Sequence, residues 1–245
     1  MNSGIYSACA GLMTRMQSLD NIAANVANSS STGYRAQTAS FGTALVQAAH
    51  HGKLTTLNQA ANSFIQMTGT QLDQTQGVLT PTGNDLDVAV QGAGYLKVQT
   101  STGTAYTRNG SFQLGANGQL VTASGDAVLG ETGPITLAQG PASISADGTV
   151  TQKGAIVGKL SLVDFAPGTG LQQRGSSYYT AATGAAEQTA TGTLQQGSLE
   201  SSNVSPIDGM VQLINAQRAA ESMRHVLTMI DTDMNKTAAD LAHVG

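Results

Sequence analysis

The chain has 245 residues, with Lys+Arg 11 against Asp+Glu 15 and a formal net charge of -4. Charged residues are 11% of it, against about 25% in ordinary domains, which excludes the basic footprint that binds nucleic acid or anionic lipid. The single Cys9 excludes an internal disulfide framework, and the length allows one large domain or two small ones around a real core.

The opening MNSGIYSACAGLM has no basic n-region, and Arg15 and Asp20 interrupt its apolar stretch. No apolar run of about 18 residues offers a membrane span, so the expectation is a chain with no direct membrane insertion and no cleavable leader. Residues 1–28 instead read as a helix. Ile5, Leu12, Leu19 and Val26 recur at one heptad position, and Cys9, Met16 and Ala23 at another. That is an a/d seam at a period of about 3.5, the mark of a helix lying along another helix.

The pattern stops in NVANSSSTGYR. Asn28, the serines and Thr32 are suited to hydrogen-bonding the freed groups of a helix end, and Gly33 to a left-handed exit. Tyr34 and Arg35 then start an extended arm over 29–80, with Arg35 a candidate for hydrogen bonds between subunits. His50-His51, inside this arm, lacks a nearby Cys or carboxylate at ligand spacing and reads as a solvated pair.

A change of period marks the next region, a central antiparallel β domain over 81–182. Leu86, Val88 and Val90 alternate with Asp87 and Ala89 as in a half-buried strand. Asn109-Gly110, Asn117-Gly118 and Asp147-Gly148 supply the positive-φ pairs that tight hairpins demand. Gly158 within AIVGKLSLVDF predicts a bulge or bend. A second extended arm follows over 183–205.

The C-terminal segment 206–245 repeats the opening design. Pro206 suits a helix start and Ser205 an N-cap. Leu213, Ala220, Leu227, Met234 and Leu241 recur in sevens, with Ala216, Met223, Ile230 and Thr237 three residues after the first four. Gly209 weakens the helix near its start. Val211, Ile214, Ala219, Val226 and Met229 lie off the seam and call for neighbours that a two-helix pair does not supply. The expected fold class is therefore α+β, with long N- and C-terminal coiled-coil-type helices flanking the β domain.

Motifs of chemistry are weak. Gly154 to Leu160 has the wrong spacing for a phosphate loop and no Ser/Thr for magnesium. Asp85 and Asp87 read as hydrated carboxylates rather than a glycosidase pair, and no serine sits in a G-x-S-x-G elbow. The expectation is a protein that is not an enzyme, with no cofactor and no metal site.

Three stretches, in order, carry a resemblance. IAANVANSSSTGYRA, with Ala24-Asn25-Val26-Ala27-Asn28 and Thr32-Gly33-Tyr34-Arg35, resembles the N-terminal signature of the bacterial flagellar rod and hook proteins. GNDLDVAVQGAGYLKV resembles their β-domain entry. GSLESSNVSPIDGMVQLINAQRAAE resembles their C-terminal signature, with Leu199-Glu200, Ser202-Asn203-Val204 and Gln217-Arg218. The chain departs from the family at Ala24, usually Asn, and at Ala220, usually aromatic. The opening SGIYSACAGLMTRMQSLD looks more like the proximal-rod FlgF type than the distal-rod FlgG type.

The resemblance implies a structural subunit of the basal-body rod, within the periplasm-spanning shaft, which self-assembles through terminal helices that form an inner wall and transmits torque. It also implies partners among neighbouring rod subunits and delivery by the flagellar type III export apparatus. The candidate assembly residues are then the two seams, the helix exit at Asn28, Gly33, Tyr34 and Arg35, and Gln217 and Arg218. The weaker alternative is a β-rich surface binding module with oligomerising tails.

Overall fold

The computed structural model describes residues 2–43, 65–166, 171–182 and 184–243. The chain divides into two units, one of Met1–Val26, Gln37–Gln71 and Pro206–Gly245, the other of Ala27–Ala36 and Leu72–Ser205.

In the first unit, α1 spans Asn2–Ala27 and α2 spans Pro206–His243, while strands β1 (Gln37–Thr43) and β2 (Ile65–Leu72) pair with each other. Pro206 opens α2 where its missing N–H costs nothing, and Asp208 puts a carboxylate at the positive end of the helix dipole. Two contacts among the described residues fix an antiparallel crossing. Val26 lies against Gly209, where an added Cβ would come within 2.6 Å of Val26 Cγ2, and Met223 Cε lies 3.5 Å from the Cβ position of Gly11. Gly209 is buried. The glycine that costs α2 helix propensity is what lets α1 approach.

The coiled-coil expectation needs correction. The chain has one helix at each end and a large antiparallel β domain, and no long coiled-coil helices are shown among the described residues. A coiled coil fills a hole with every a/d knob. Here Met16 is 55% exposed and Cys9 is exposed. Leu213, Ala216, Ala220, Met223, Leu227 and Ile230 are only half-buried. Beside the small Ala220 the helices leave a groove of about 380 Å³, lined also by Leu12, Met16 and Leu19. Small residues at the crossing bring the backbones close without interdigitating side chains.

The second unit is the β domain. Its strands in chain order are β3 (Leu79–Pro81), β4 (Val88–Gln91), β5 (Tyr95–Thr100), β6 (Gly103–Thr107), β7 (Phe112–Leu114) and β8 (Leu120–Thr122). Then come β9 (Ala127–Gly130), β10 (Gly133–Pro134), β11 (Ala142–Ile144), β12 (Thr149–Gln152), β13 (Ala155–Lys159) and β14 (Leu162–Phe165). The last are β15 (Leu171–Arg174), β16 (Tyr178–Ala181), β17 (Glu187–Thr189), β18 (Thr193–Gln196) and β19 (Ser198–Glu200). The main sheet runs β15-β16-β6-β5-β9-β8-β7, with β10 on β9, β14 on β5 and β17 on β14. β11-β12-β13 form a smaller sheet, and two antiparallel ribbons pair β4 with β18 and β3 with β19. The late strands β18 and β19 thus close on the early strands β4 and β3.

Turn chemistry explains most of the hairpins. Gly118 and Gly148 hold φ of 75° and 88°, the left-handed region glycine enters at no steric cost. Lys153-Gly154, with φ of 52° and 80°, makes the two-residue turn between β12 and β13, which the Asn-Gly and Asp-Gly signals did not flag. Asn109-Gly110 is a different case: β6 and β7 do not pair. Gly110 is required because a Cβ there would sit 1.7 Å from the carbonyl oxygen of Val88. The expected irregularity falls at Val157, which is left out of the β12–β13 register just before Gly158.

The core has an aliphatic part, with Val88, Val90, Leu96, Val98, Phe112, Leu120 and Val128 fully enclosed, and an aromatic part around Tyr95, Tyr106, Phe165 and Tyr179. Tyr106 meets Phe165 edge-on at 4.8 Å and Tyr95 meets Tyr179 at 5.4 Å, within the favoured range for aromatic pairs. β4 is not half-buried as its alternation predicts. Asp87 and Ala89 are buried along with Val88 and Val90. The Asp87 carboxylate is buried instead of solvent-facing; it accepts hydrogen bonds from Thr82 Oγ1 (2.6 Å) and Asn84 Nδ2 (3.0 Å) and closes the loop before β4.

Candidate functional site

The candidate site is where the chain leaves α1 and where it enters α2. After Ala27 the backbone turns through Ser31 N–H to Asn28 O (3.0 Å) and Tyr34 N–H to Ser31 O (3.3 Å), with Ser31 Oγ donating to Asn28 Oδ1 at 3.1 Å. Gly33 takes φ 69°. A Cβ there would stand 2.4 Å from the main chain of Arg108 and Asn109. Both the conformation and the space demand glycine. On the other side of the break, Gln37 N–H donates to Asn25 Oδ1 (2.9 Å) while Asn25 Nδ2 donates to Gln37 O (2.8 Å), so the last turn of α1 holds the start of β1.

The segment of residues 33–36 runs against the segment that leads into α2. Gly33 N–H donates to Glu200 O at 2.8 Å, Asn203 N–H to Tyr34 O at 3.4 Å, and Ala36 N–H to Asn203 Oδ1 at 2.7 Å. Asn203 Nδ2 in turn donates to the carbonyls of Asp73 (3.1 Å) and Thr75 (3.0 Å). One asparagine thereby stitches three segments.

Beneath this lies a buried ionic cluster. Arg35 and Glu200 are each 1% exposed and meet at 2.7 Å (Nη2 to Oε1); Arg108 Nη1 reaches Glu200 Oε2 at 3.2 Å. Gly77 N–H adds a bond to Glu200 Oε1 at 3.0 Å, and Arg108 Nη2 donates to Gly92 O at 2.8 Å. The Arg108 guanidinium also sits 5.0 Å above the Tyr95 ring, a cation–π contact. Tyr179 closes the back, accepting from Arg35 N–H at 3.1 Å and donating to Gly33 O at 3.3 Å. Burial, and then the neighbouring Arg35 charge, push the Arg108 guanidinium below its ordinary value. Burial likewise raises the Tyr95 and Tyr179 phenols, so the pocket holds neutral rings around charged guanidiniums.

The sequence-predicted residues divide by location. Gly33, Tyr34 and Arg35 are buried inside the β unit, and the Arg35 side chain bonds within its own chain. Asn28 is half-buried at the helix exit. On α1, Leu12, Leu19, Ala23 and Val26 are half-buried, while Cys9 and Met16 are exposed. On α2 the seam from Leu213 to Ile230 is half-buried, and Gln217 and Arg218 are exposed. The side chains of Ile5, Met234 and Leu241, and the His50-His51 pair, lie outside the described residues. Sequence reasoning assigned no role to Arg108, and quoted Glu200 and Asn203 only within a signature. In a chain so poor in charge, a lone Arg at the end of the strand-like AYT and a lone Glu after GSL were the available signals. Among the described residues no His, Cys, Asp and Glu cluster forms a metal site, and no helix is long and apolar enough to cross a membrane.

The second face of α2 is apolar at its start. Ile207 is 72% exposed, with Met210, Val211 and Ile214 also exposed. At about 100° per residue these four centre on the side of α2 opposite Gly209 and Ala216.

Residues 89–152 match the family described as flagellar hook protein FlgE/F/G D1 domain, and residues 195–241 match flagellar basal body rod FlgEFG protein C-terminal. The chain is 34% identical to the flagellar basal-body rod protein FlgF of Caulobacter vibrioides, over 93% of this chain and 93% of that one. It is 32% identical to the FlgG rod protein of Buchnera aphidicola, covering 96% and 98% of the two chains. Against FlgG of Bacillus subtilis the identity is 32%, covering 94% and 96%. The chain belongs to the flagellar basal-body rod protein family.

Proposed function

We propose that the protein is a structural subunit of the bacterial flagellar basal-body rod that packs against neighbouring rod subunits through its terminal helices and carries torque along the shaft. The observation that carries this reading is the α2 face at Ile207, Met210, Val211 and Ile214, exposed on the side away from α1. Apolar side chains grouped on one face of a helix are the usual mark of a contact surface. The contact between this face and a neighbour is heterologous and does not close on itself, so it builds a tube or helical shaft. We assign the subunit to the proximal rod, FlgF-type position on the strength of its opening SGIYSACAGLMTRMQSLD, with delivery by the flagellar type III export apparatus. Its task is mechanical and not catalytic.

The test is complementation in a flagellated bacterium. The chain is expected to restore swimming to a strain lacking FlgF and not to one lacking FlgG; the reverse result makes it a distal-rod subunit. Val211→Asp with Ile214→Asp is expected to abolish rod assembly while the purified monomer keeps its stability within about 0.5 kcal/mol, because both side chains are already in solvent. Full swimming by that double variant sinks the helix-face contact.

A further inference from the structure

The Arg35–Glu200–Arg108 cluster places two guanidiniums on one carboxylate, so among these three side chains positive charge exceeds negative by one. Among the described residues, Arg35 Nε, Arg35 Nη1 and Arg108 Nε have no hydrogen-bond partner. As a device for stability this is poor: apolar groups of similar volume commonly hold a fold as well or better than a buried ion pair. Its geometry offers more than its energy. Arg35 stands on the segment leaving α1, Glu200 on the segment entering α2, and Arg108 at the end of β6 in the main sheet. A carboxylate with two oxygens aimed at two fixed forks admits one relative placement of those three segments. An apolar patch would let them slide.

We propose that Glu200 is a positioning residue for rod assembly: its carboxylate, forked between Arg35 and Arg108, sets the spacing of the two helix roots before the subunit meets its neighbours. The role in the rod rests on the reading of the protein as a rod subunit; the state of the free monomer does not. Arg35 contributes through Nη2 and Arg108 through Nη1, while Gly77 N–H and the Gly33–Glu200 backbone bond hold the glutamate in the same orientation.

Two measurements test it. The first is amide hydrogen exchange on the full-length monomer. The amides of Gly33, Ala36, Gly77 and Asn203 are expected to be protected to the same degree as that of Val88 in β4 and to exchange only with global unfolding. Loss of that protection, with these amides exchanging as fast as those of α1, overturns the proposal, since the roots are then free until assembly. This result is independent of whether the protein is a rod subunit. The second is swimming in the complemented strain. Arg35→Met is expected to lose it with the β unit still folded, and Arg35→Lys to recover part of it by restoring a charge that reaches Glu200. Parental swimming by Arg35→Met overturns the positioning role. Should Arg35→Met fail to fold, the exchange pattern of the unmodified chain decides alone.

Discussion

At the scale of single residues, the positions that matter most are those where the backbone leaves no choice. Gly33 combines a left-handed φ with a Cβ direction aimed at the Arg108 main chain. Strained φ/ψ costs about 1–3 kcal/mol and overpacking a comparable amount, so Gly33→Ala is expected to lower stability by about 3 kcal/mol, read from urea unfolding of the full chain. A loss under 1 kcal/mol contradicts the close packing described. Glu187 offers a pH test. The Tyr106 O–H donates to its Oε1 at 2.6 Å and Lys97 Nζ meets Oε2 at 2.9 Å, and the Tyr106 bond is the main reason its carboxyl titrates below the ordinary 4.5. The unfolded chain takes up that proton near 4.5 and the folded chain only at lower pH. The stability from this contact is therefore complete above the ordinary value and disappears as pH falls through the folded one. Glu187→Gln should flatten the acid side of the stability curve and leave its neutral side lowered; an unchanged acid slope refutes the assignment.

At the scale of elements, both helices and the hairpins at Asn117-Gly118 and Asp147-Gly148 were legible, because hydrophobic period and Gly-containing turns report local structure. What pairs with what was not. β18 follows β4 by about a hundred residues of sequence, and nothing in TGTLQQG says that Leu194 will be 5% exposed beside Val90. The two-sided burial of β4 escaped for the same reason, since alternation reports one face and the second face is covered by distant chain. The coiled-coil reading failed on side-chain size: Gly209, Ala216 and Ala220 keep the heptad spacing but not the knobs. Gly209 gives the sharpest test. In a helix interior Ala is preferred to Gly by about 1 kcal/mol, but Gly209 is buried where α1 approaches, so Gly209→Ala is expected to loosen the crossing despite that gain. The same Cβ meets Val26 Cγ2, so rod assembly should fall, and Val26→Ala in the same chain should recover it. Parental swimming by Gly209→Ala would show that the close crossing is not used.

At the scale of the molecule, the β unit is closed by its latest strands. A fragment of residues 80–185 lacks β18 and β19, exposes Val88 and Val90 along the open side of β4, and leaves Arg108 without Glu200. It is expected to show no cooperative unfolding transition, since an unpaired buried charge and an uncovered core each cost several kcal/mol. A fragment of 27–205 retains every partner of the ionic cluster and should unfold as one transition by heat or urea. Cooperative folding of the shorter piece would mean that the closing strands add little.

The adjacency of Gly33 and Glu200, joined by a 2.8 Å backbone bond, has a further consequence for how such chains diversify. A module whose entry and exit lie side by side behaves as a cassette on a short stem: loops remote from the stem can be enlarged, trimmed or exchanged as long as Arg108 and Tyr179, which hold it, stay in place. Evolution can then redecorate the outside of a subunit without retuning the parts that polymerise, and an engineer grafting a reporter into this chain would do best to keep the stem whole and cut beyond it.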